Sequence, residues 1–310
     1  MASQRTILIT GCSDGSLGAA LALAFHRAGW RVLASARNTS KLKNAEQAGI
    51  ETLQLDTVSD ESMSRCVSRV RELTGGSLDV LVNNAGAGYA MPVMDLDLAQ
   101  ARDLFNLNVW SLVSVTRAFL PLLLESTRGG MVVNNTSTVS VPAGAMPFFG
   151  AYNASKAAAA SLTEALRLEL EPFGIRVINL MTGGVRSTFH DNAPTPTLPS
   201  GSMYNVAKEA LEEAMSGVNT ASGNSDADEW AGRVAKRLSR RNPPHWVWQG
   251  KFSTIVRIAS HLPVGFFDGM MKSIAGLDVL ERKIKEQVGL RVIRESTSES
   301  PVKDSGANGK

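Results

Sequence analysis

Hydrophobic residues in this chain fall in short unbroken clusters, separated by helix-length stretches, rather than alternating with polar ones. The clusters lie at residues 6–10, 31–35, 51–55, 79–83, 131–136 and 176–180. A strand needs consecutive apolar residues when helices cover both faces of its sheet; a sheet with one wet face would alternate. The segments between them predict helices at 17–28, 60–73, 98–124 and 152–171. This βαβα order predicts an α/β fold of the doubly wound Rossmann type, a parallel sheet between two helical layers (α/β/α).

The pattern changes after residue 180. Residues 189–202 are rich in Pro, Ser and Thr and read as a mobile loop, followed by helices at 204–216 and 228–240. Asn242-Pro243-Pro244 then leads into an apolar, aromatic stretch at 246–280. The last residues, from Glu295, are polar and expected to be disordered. One domain is expected over 1–250, a C-terminal helical extension over 251–294 and a disordered tail over 295–310.

With 310 residues, 44% of them hydrophobic, the chain has ample material for a packed core. Its net charge of +3 is mild and its basic residues are dispersed, without interleaved aromatics, which argues against nucleic-acid binding. Two cysteines, Cys12 and Cys66, and four scattered histidines have no metal-ligand spacing. Neither a disulfide framework nor a metal site is expected, which suits a reducing, cytoplasmic compartment. The apolar run 7–10 is too short for a secretory core and enters a glycine turn, so it reads as the first strand.

That turn is Thr10-Gly11-Cys12-Ser13-Asp14-Gly15-Ser16-Leu17-Gly18, set between the first strand and the first helix. Glycines there permit a tight turn and close backbone approach to a pyrophosphate, whose charge meets a helix N-terminus. Gly11, Ser13, Gly15, Leu17 and Gly18 are therefore candidate dinucleotide contacts. The second strand ends in Ser35-Ala36-Arg37 with no carboxylate for ribose hydroxyls. An Arg there attracts a 2′-phosphate, so Arg37 favours NADP(H) over NAD(H). Asp56, after the third strand, either accepts a hydrogen bond from an adenine amino group or caps a helix. Asn83 and Ala85, in Asn83-Asn84-Ala85-Gly86, end the fourth strand where a crevice opens at the carboxyl edge of such sheets. Asn108 is a polar residue inside a long helical segment, which points to a polar task or to a bend.

Tyr152 and Lys156 are four residues apart at the start of a helical run and share a face. A free phenol has a pKa near 10, and a neighbouring ammonium lowers it, making the pair a tunable proton donor. Ser137 ends the strand upstream; Thr138 and Ser140 are nearby alternatives for the same hydroxyl. Tyr204 and Lys208 repeat the spacing, but no apolar strand ending in Ser or Thr precedes them at a suitable distance, so they read as an ordinary helix face.

In this order, the glycine turn, Asn-Asn-Ala-Gly, helix Asn, strand-end Ser and Tyr-x-x-x-Lys resemble the short-chain dehydrogenase/reductase family, in its compact single-domain branch. The resemblance covers about residues 5–190. It implies Tyr152 as general acid/base, Lys156 as ribose ligand and pKa-lowering cation, Ser137 as the donor polarising a carbonyl, and Asn108 as anchor of a proton-relay water. It also implies that Val185 contacts the nicotinamide carboxamide through its backbone and that Thr188 reaches phosphate. Three departures stand out. The glycine turn is one residue longer than the family's. Ser137 lies fifteen residues before Tyr152, a longer spacing than usual. Thr182 in Thr182-Gly183-Gly184-Val185 replaces a proline, which is expected to loosen that turn. Within the family, Cys-Ser-Asp-Gly, Ala36-Arg37-Asn38 and Trp246-Val247-Trp248 resemble fungal reductases of the 1-acyldihydroxyacetone-phosphate reductase kind, a group that takes in reductases of lipid-like and polyketide ketones.

The expected function is NADPH-dependent reduction of a ketone or aldehyde of a hydrophobic, lipid-like or polyketide-type substrate to an alcohol. A non-catalytic NADP-binding scaffold of the same fold is the alternative, and an epimerase or dehydratase a third. The resemblance implies a homodimer or homotetramer. The longest uncharged run of the tail, 258–267, is ten residues, short of the ~20 that a spanning helix needs. The 246–280 stretch is left to pack in the core or a subunit interface, to cover the cleft, or to lie peripherally on an intracellular membrane or lipid droplet.

Overall fold

The computed structural model describes residues 4–189, 195–217 and 223–286. Six strands lie where the apolar clusters place them: β1 Thr6–Ile9, β2 Arg31–Ala36, β3 Glu51–Gln54, β4 Val80–Asn83, β5 Met131–Asn135 and β6 Arg176–Thr182. A seventh, β7 Trp246–Gln249, opens the stretch that read only as apolar. All pair in parallel, in the order β3-β2-β1-β4-β5-β6-β7. The order reverses between β1 and β4, which opens a crevice at their carboxyl ends.

Helices α1 Leu17–Arg27, α2 Lys43–Gln47, α3 Asp60–Thr74, α4 Leu98–Phe105, α5 Ser111–Leu124 and α6 Gly150–Leu170 fall between the strands, followed by α7 Lys208–Ser216 and α8 Ala227–Leu238. Ile7 and Ile9 pack with Leu21 and Phe25 of α1 and Trp230 and Val234 of α8. Leu8, between them in sequence, joins Phe119 and Leu122 of α5 on the opposite face. Successive strand residues thus enter two different cores, which is why the strands are apolar throughout. Each fully buried Ile, Leu or Phe contributes about 1.5–3 kcal/mol.

Two helix boundaries differ from the periodicity. The expected helix at 98–124 contains a π-helical segment, Asn106–Trp110, between α4 and α5. The expected helix at 204–216 begins as a 3-10 turn, Met203–Ala207, before α7. In the tail, α9 Ser253–Ala259, α10 Asp268–Ile274 and α11 Leu277–Glu286 confirm a helical extension. Its end packs into a third cluster, where Ala275 and Leu280 meet Phe148, Leu198, Ala207, Leu211 and Met215. The expected tail at 295–310 and part of the expected 189–202 loop lie outside the described residues.

Candidate active site

Ser16 caps α1: its hydroxyl accepts from Ala19 N at 3.2 Å and donates to the Gly11 carbonyl at 2.9 Å. Among the described residues, the N–H groups of Leu17 and Gly18 have no partner, which leaves the positive end of α1 ready for an anion. Gly11 adopts φ +71°, and a Cβ there would lie 2.9 Å from the Ala85 Cα. A Cβ on Gly18 would sit 2.4 Å from the Gly11 carbonyl oxygen. The longer turn therefore still needs a glycine at the helix start, and Gly18 fills that place. Thr188 closes the other side, donating from its N–H to the Gly15 carbonyl at 3.1 Å. A Cβ on Gly15 would meet the Thr188 methyl at 2.6 Å. This cradle suits a pyrophosphate, with Gly11, Ser13, Gly15, Leu17, Gly18 and Thr188 around it.

A hydrogen-bonded row ties four strand ends together behind the cradle. Asn84 donates to the Thr10 and Gly11 carbonyls at 2.9 and 3.2 Å, while the Asn84 and Ala85 N–H groups donate to the Thr10 hydroxyl. The Asn135 amide donates to Asn84 Oδ1 at 2.8 Å, and the Thr182 hydroxyl donates to Asn135 Oδ1 at 2.6 Å. Thr182 is thus the last link of this row. The expected loosening of its turn is not what the structure shows. Gly183 N donates to the Gln249 carbonyl at 2.9 Å, and Gly184 and Lys251 exchange hydrogen bonds at 3.0 Å. The turn preceding Val185 is clamped by the end of β7 through backbone bonds that need no proline. A Cβ on Gly183 would lie 2.2 Å from the Lys251 carbonyl.

Asn83 belongs to a second, buried row. Its amide donates to the Thr116 hydroxyl and to Asn134 Oδ1, both at 2.9 Å, and Asn134 donates on to Thr163 at 3.0 Å. The amide donors of Asn83 are committed inside the core, so its contact with a dinucleotide would come from the main chain. Adjacent residues at a strand end face opposite sides; Asn84 is the one turned to the glycine turn, a distinction the motif alone does not make. Asn135 was also not singled out, because its role exists only across the β4–β5–β6 register.

The π-helical segment carries Asn108, which is buried. Its Oδ1 accepts from Ala87 N at 2.9 Å; its amide donates to the Ala87 carbonyl at 2.9 Å and to Ser155 Oγ at 3.0 Å. A mid-helix Asn that distorts its helix here fastens the loop after β4 to α6, one turn from Tyr152. The side chain is thus engaged in polar contacts at an irregular point of the helix.

Ser137 lies two residues past β5 and caps a short 3-10 turn, Thr138–Ser140. Ser140 donates to the Lys156 carbonyl at 2.9 Å, so its hydroxyl pins the turn to α6. The hydroxyl hydrogen-bonded to the Tyr152 phenol is that of Ser137. Lys156 is buried, and its Nζ donates to the Asn135 carbonyl at 2.9 Å while lying 6.0 Å from the Tyr152 ring centre. Burial pushes the Tyr152 phenol up to about 12, against the hydrogen bond from Ser137, and pushes the Lys156 ammonium down to about 8. The phenol is therefore raised, not lowered as the pairing suggested: loss of water outweighs a cation turned toward Asn135. With the phenol raised, Tyr152 holds its proton at neutral pH. The Phe189 ring lies beside it, with centroids 5.6 Å apart, a neighbour the sequence did not indicate.

Arg37, just past β2, is exposed and makes no hydrogen bond or ion pair among the described residues. Asp56 does not cap α3; Ser59 does. The Asp56 carboxylate accepts instead from Val58 N at 3.2 Å. The Tyr204–Lys208 repeat is ordinary: Tyr204 packs edge-on to Phe148, and Lys208 pairs with Glu212 at 3.0 Å.

Comparison with known proteins agrees with this geometry. The pattern of the short chain dehydrogenase family matches residues 5–198. A short-chain dehydrogenase/reductase, GME11361, of Pestalotiopsis microspora is 43% identical over 92% of this chain and 99% of its own. The NADPH-dependent 1-acyldihydroxyacetone phosphate reductase of Schizosaccharomyces pombe is 35% identical over 89% of this chain and 96% of its own. The crystal structure of a short-chain dehydrogenase from Streptomyces avermitilis superposes with a TM-score of 0.72 at 27% identity, covering 91% of this chain and 98% of that one. With its parallel sheet, its glycine cradle and its Ser, Tyr and Lys gathered at the carboxyl edge, the chain belongs to the short-chain dehydrogenase family and is an oxidoreductase of that family.

Proposed function

We propose that this protein is an NADPH-dependent reductase of a hydrophobic, lipid-like or polyketide-type ketone or aldehyde. The observation that carries the reading is Tyr152, half-buried, hydrogen-bonded to Ser137 and beside the buried Lys156, on the same sheet edge as the glycine cradle. The cradle fits a dinucleotide, and the unpaired Arg37 at the end of β2 fits its 2′-phosphate. The S. pombe relative, which is NADPH-dependent, supports the same cofactor. Asp56 and the main chains of Asn83, Ala85 and Val185 complete the proposed binding set.

When bound, NADPH supplies the hydride. The chain's own residues manage the charge that develops on the carbonyl oxygen. Tyr152 donates its proton to that oxygen, and Ser137 donates a hydrogen bond to it. Lys156 holds positive charge beneath the phenol and offers a ribose-binding group. Asn108 keeps α6 in register with the loop after β4, so the phenol stays aimed. Phe189 gives the site an apolar wall suited to a hydrophobic substrate.

The test is Tyr152→Phe. Turnover of NADPH with a ketone panel should fall by about 10²–10⁴, the usual worth of a general acid, while NADPH binding, read by fluorescence, persists. Full activity in the variant would remove Tyr152 from the mechanism. The panel spans acyl-dihydroxyacetone phosphate, long-chain 3-keto lipids, steroid ketones and polyketides, and the best substrate defines the class. The cellular setting that fits is cytoplasmic. The assembly that fits is a homodimer or homotetramer through α4, the π-helical segment, α5 and α6, which leave Leu98, Trp110, Leu124 and Leu168 exposed.

A further inference from the structure

Eight of the seventeen exposed large apolar side chains among the described residues fall within one stretch of 23 residues, Phe252 to Ile274. Here α9 is apolar on both sides. Its inner face places Val256 and Ala259 in the protein, with Val256 against Gly144 in the loop that follows the Ser137 turn. Its outer face carries Ile255 and Ile258, the latter 64% exposed, where a water-facing helix would carry charge. The segment beyond it exposes Val264 (92%) and Phe266 (66%). Helix α10 buries no residue at all and exposes Met270 and Ile274. A concentration of this kind marks an interaction surface.

Its charges identify the partner. Residues 252–274 hold exposed Arg257 and Lys272 against a single carboxylate, Asp268. The core of a protein interface excludes charge. Long cations set among apolar side chains instead suit a segment lying in a bilayer surface, with apolar groups in the acyl boundary and ammonium and guanidinium groups among anionic headgroups. The exposed apolar residues of α4, α5 and α6 provide a separate surface for a second copy.

We propose that the outer face of α9, α10 and the segment between them docks on an anionic phospholipid bilayer, placing the active-site loop one helix away from a reservoir of apolar substrate. The use of this docking rests on the hydrophobic-ketone reading; the docking itself does not.

The test is flotation of the full-length protein with vesicles of phosphatidylcholine, alone or with about one-third phosphatidylserine. Two variants accompany it: Ile258→Asp with Phe266→Asp, and Arg257→Glu with Lys272→Glu. Wild type should float with the anionic vesicles and less with the neutral ones. The first variant should lose binding on the order of tenfold or more, and the second should lose the preference for anionic lipid. Turnover of a water-soluble ketone should be equal in all three proteins. Absence of turnover in every protein would sink the reductase reading and leave the flotation result standing. Wild type that floats with neither vesicle overturns the docking, as does an Ile258→Asp/Phe266→Asp variant that floats like wild type. A change of that variant's mass on a sizing column, without vesicle binding by wild type, would assign the face to a second copy and overturn it equally.

Discussion

At the scale of the residue, burial governs the site more than the charge pair does. The Tyr152 phenol keeps its proton up to about 12, and the Lys156 ammonium loses its own at about 8. On the proposed mechanism, reduction draws on a protonated phenol and a charged lysine, so its rate should fall as pH rises through about 8. The stability effect has the opposite sign. Between about 8 and the ordinary 10.5, an unfolded chain binds the Lys156 proton that the folded protein has released, so this group's contribution to stability rises with pH. The expected signature is a falling reduction rate with no accompanying drop in thermal midpoint. A rate that stays flat well above pH 8 would show that Lys156 retains its proton, or that its charge has no part in turnover.

At the scale of the element, the site is a property of strand ends in register. Asn84, Asn135 and Thr182 stand at the ends of β4, β5 and β6, and each hydrogen bond in the row crosses from one strand to the next. Thr182 is buried, so Thr182→Val removes the donor to Asn135 Oδ1 at nearly constant volume. The expected loss is about 1–2 kcal/mol, the cost of an unmade bond to a largely buried acceptor, read from urea unfolding. Asn135→Ala breaks the row on both sides and should cost more. An unchanged midpoint in Thr182→Val would mean that the β7 clamp alone holds the turn before Val185. The π-helical segment works similarly: its irregularity seats Asn108 between the Ala87 backbone and Ser155, and π segments often accompany function for this reason.

At the scale of the whole molecule, apolar side chains remain exposed both along α4 to α6 and along the C-terminal helices. Trp110, 56% exposed, lies in the π-helical segment two residues from Asn108. If α4 and α5 form the subunit interface, Trp110→Asp should weaken association by about 2 kcal/mol or more, as for an aromatic anchor, and shift the sizing profile toward the 33.1 kDa chain. A wild-type protein that already elutes at that mass would rule this interface out. The C-terminal helices divide the remaining work: α11 joins the cluster around Phe148 and Leu211, and α9 and α10 present the outer apolar face.

The sequence alone determined the parallel α/β sheet, the place of the glycine turn, and the Ser, Tyr and Lys of the site. Each is written locally, as an apolar run, a glycine spacing or a helical period. It was silent where a role depends on partners distant in the chain. β7 opens a long apolar and aromatic stretch and does not stand out from it until β6 pairs with it. Asn83 and Asn84 are identical letters, and only the pleat decides which one enters the core. A proline lost at Thr182 looked like a weakness, because the compensating bonds come from residues 249–251. The raised Tyr152 and lowered Lys156 likewise belong to the tertiary structure: spacing brings a cation near a phenol, but only packing decides how much water each group loses.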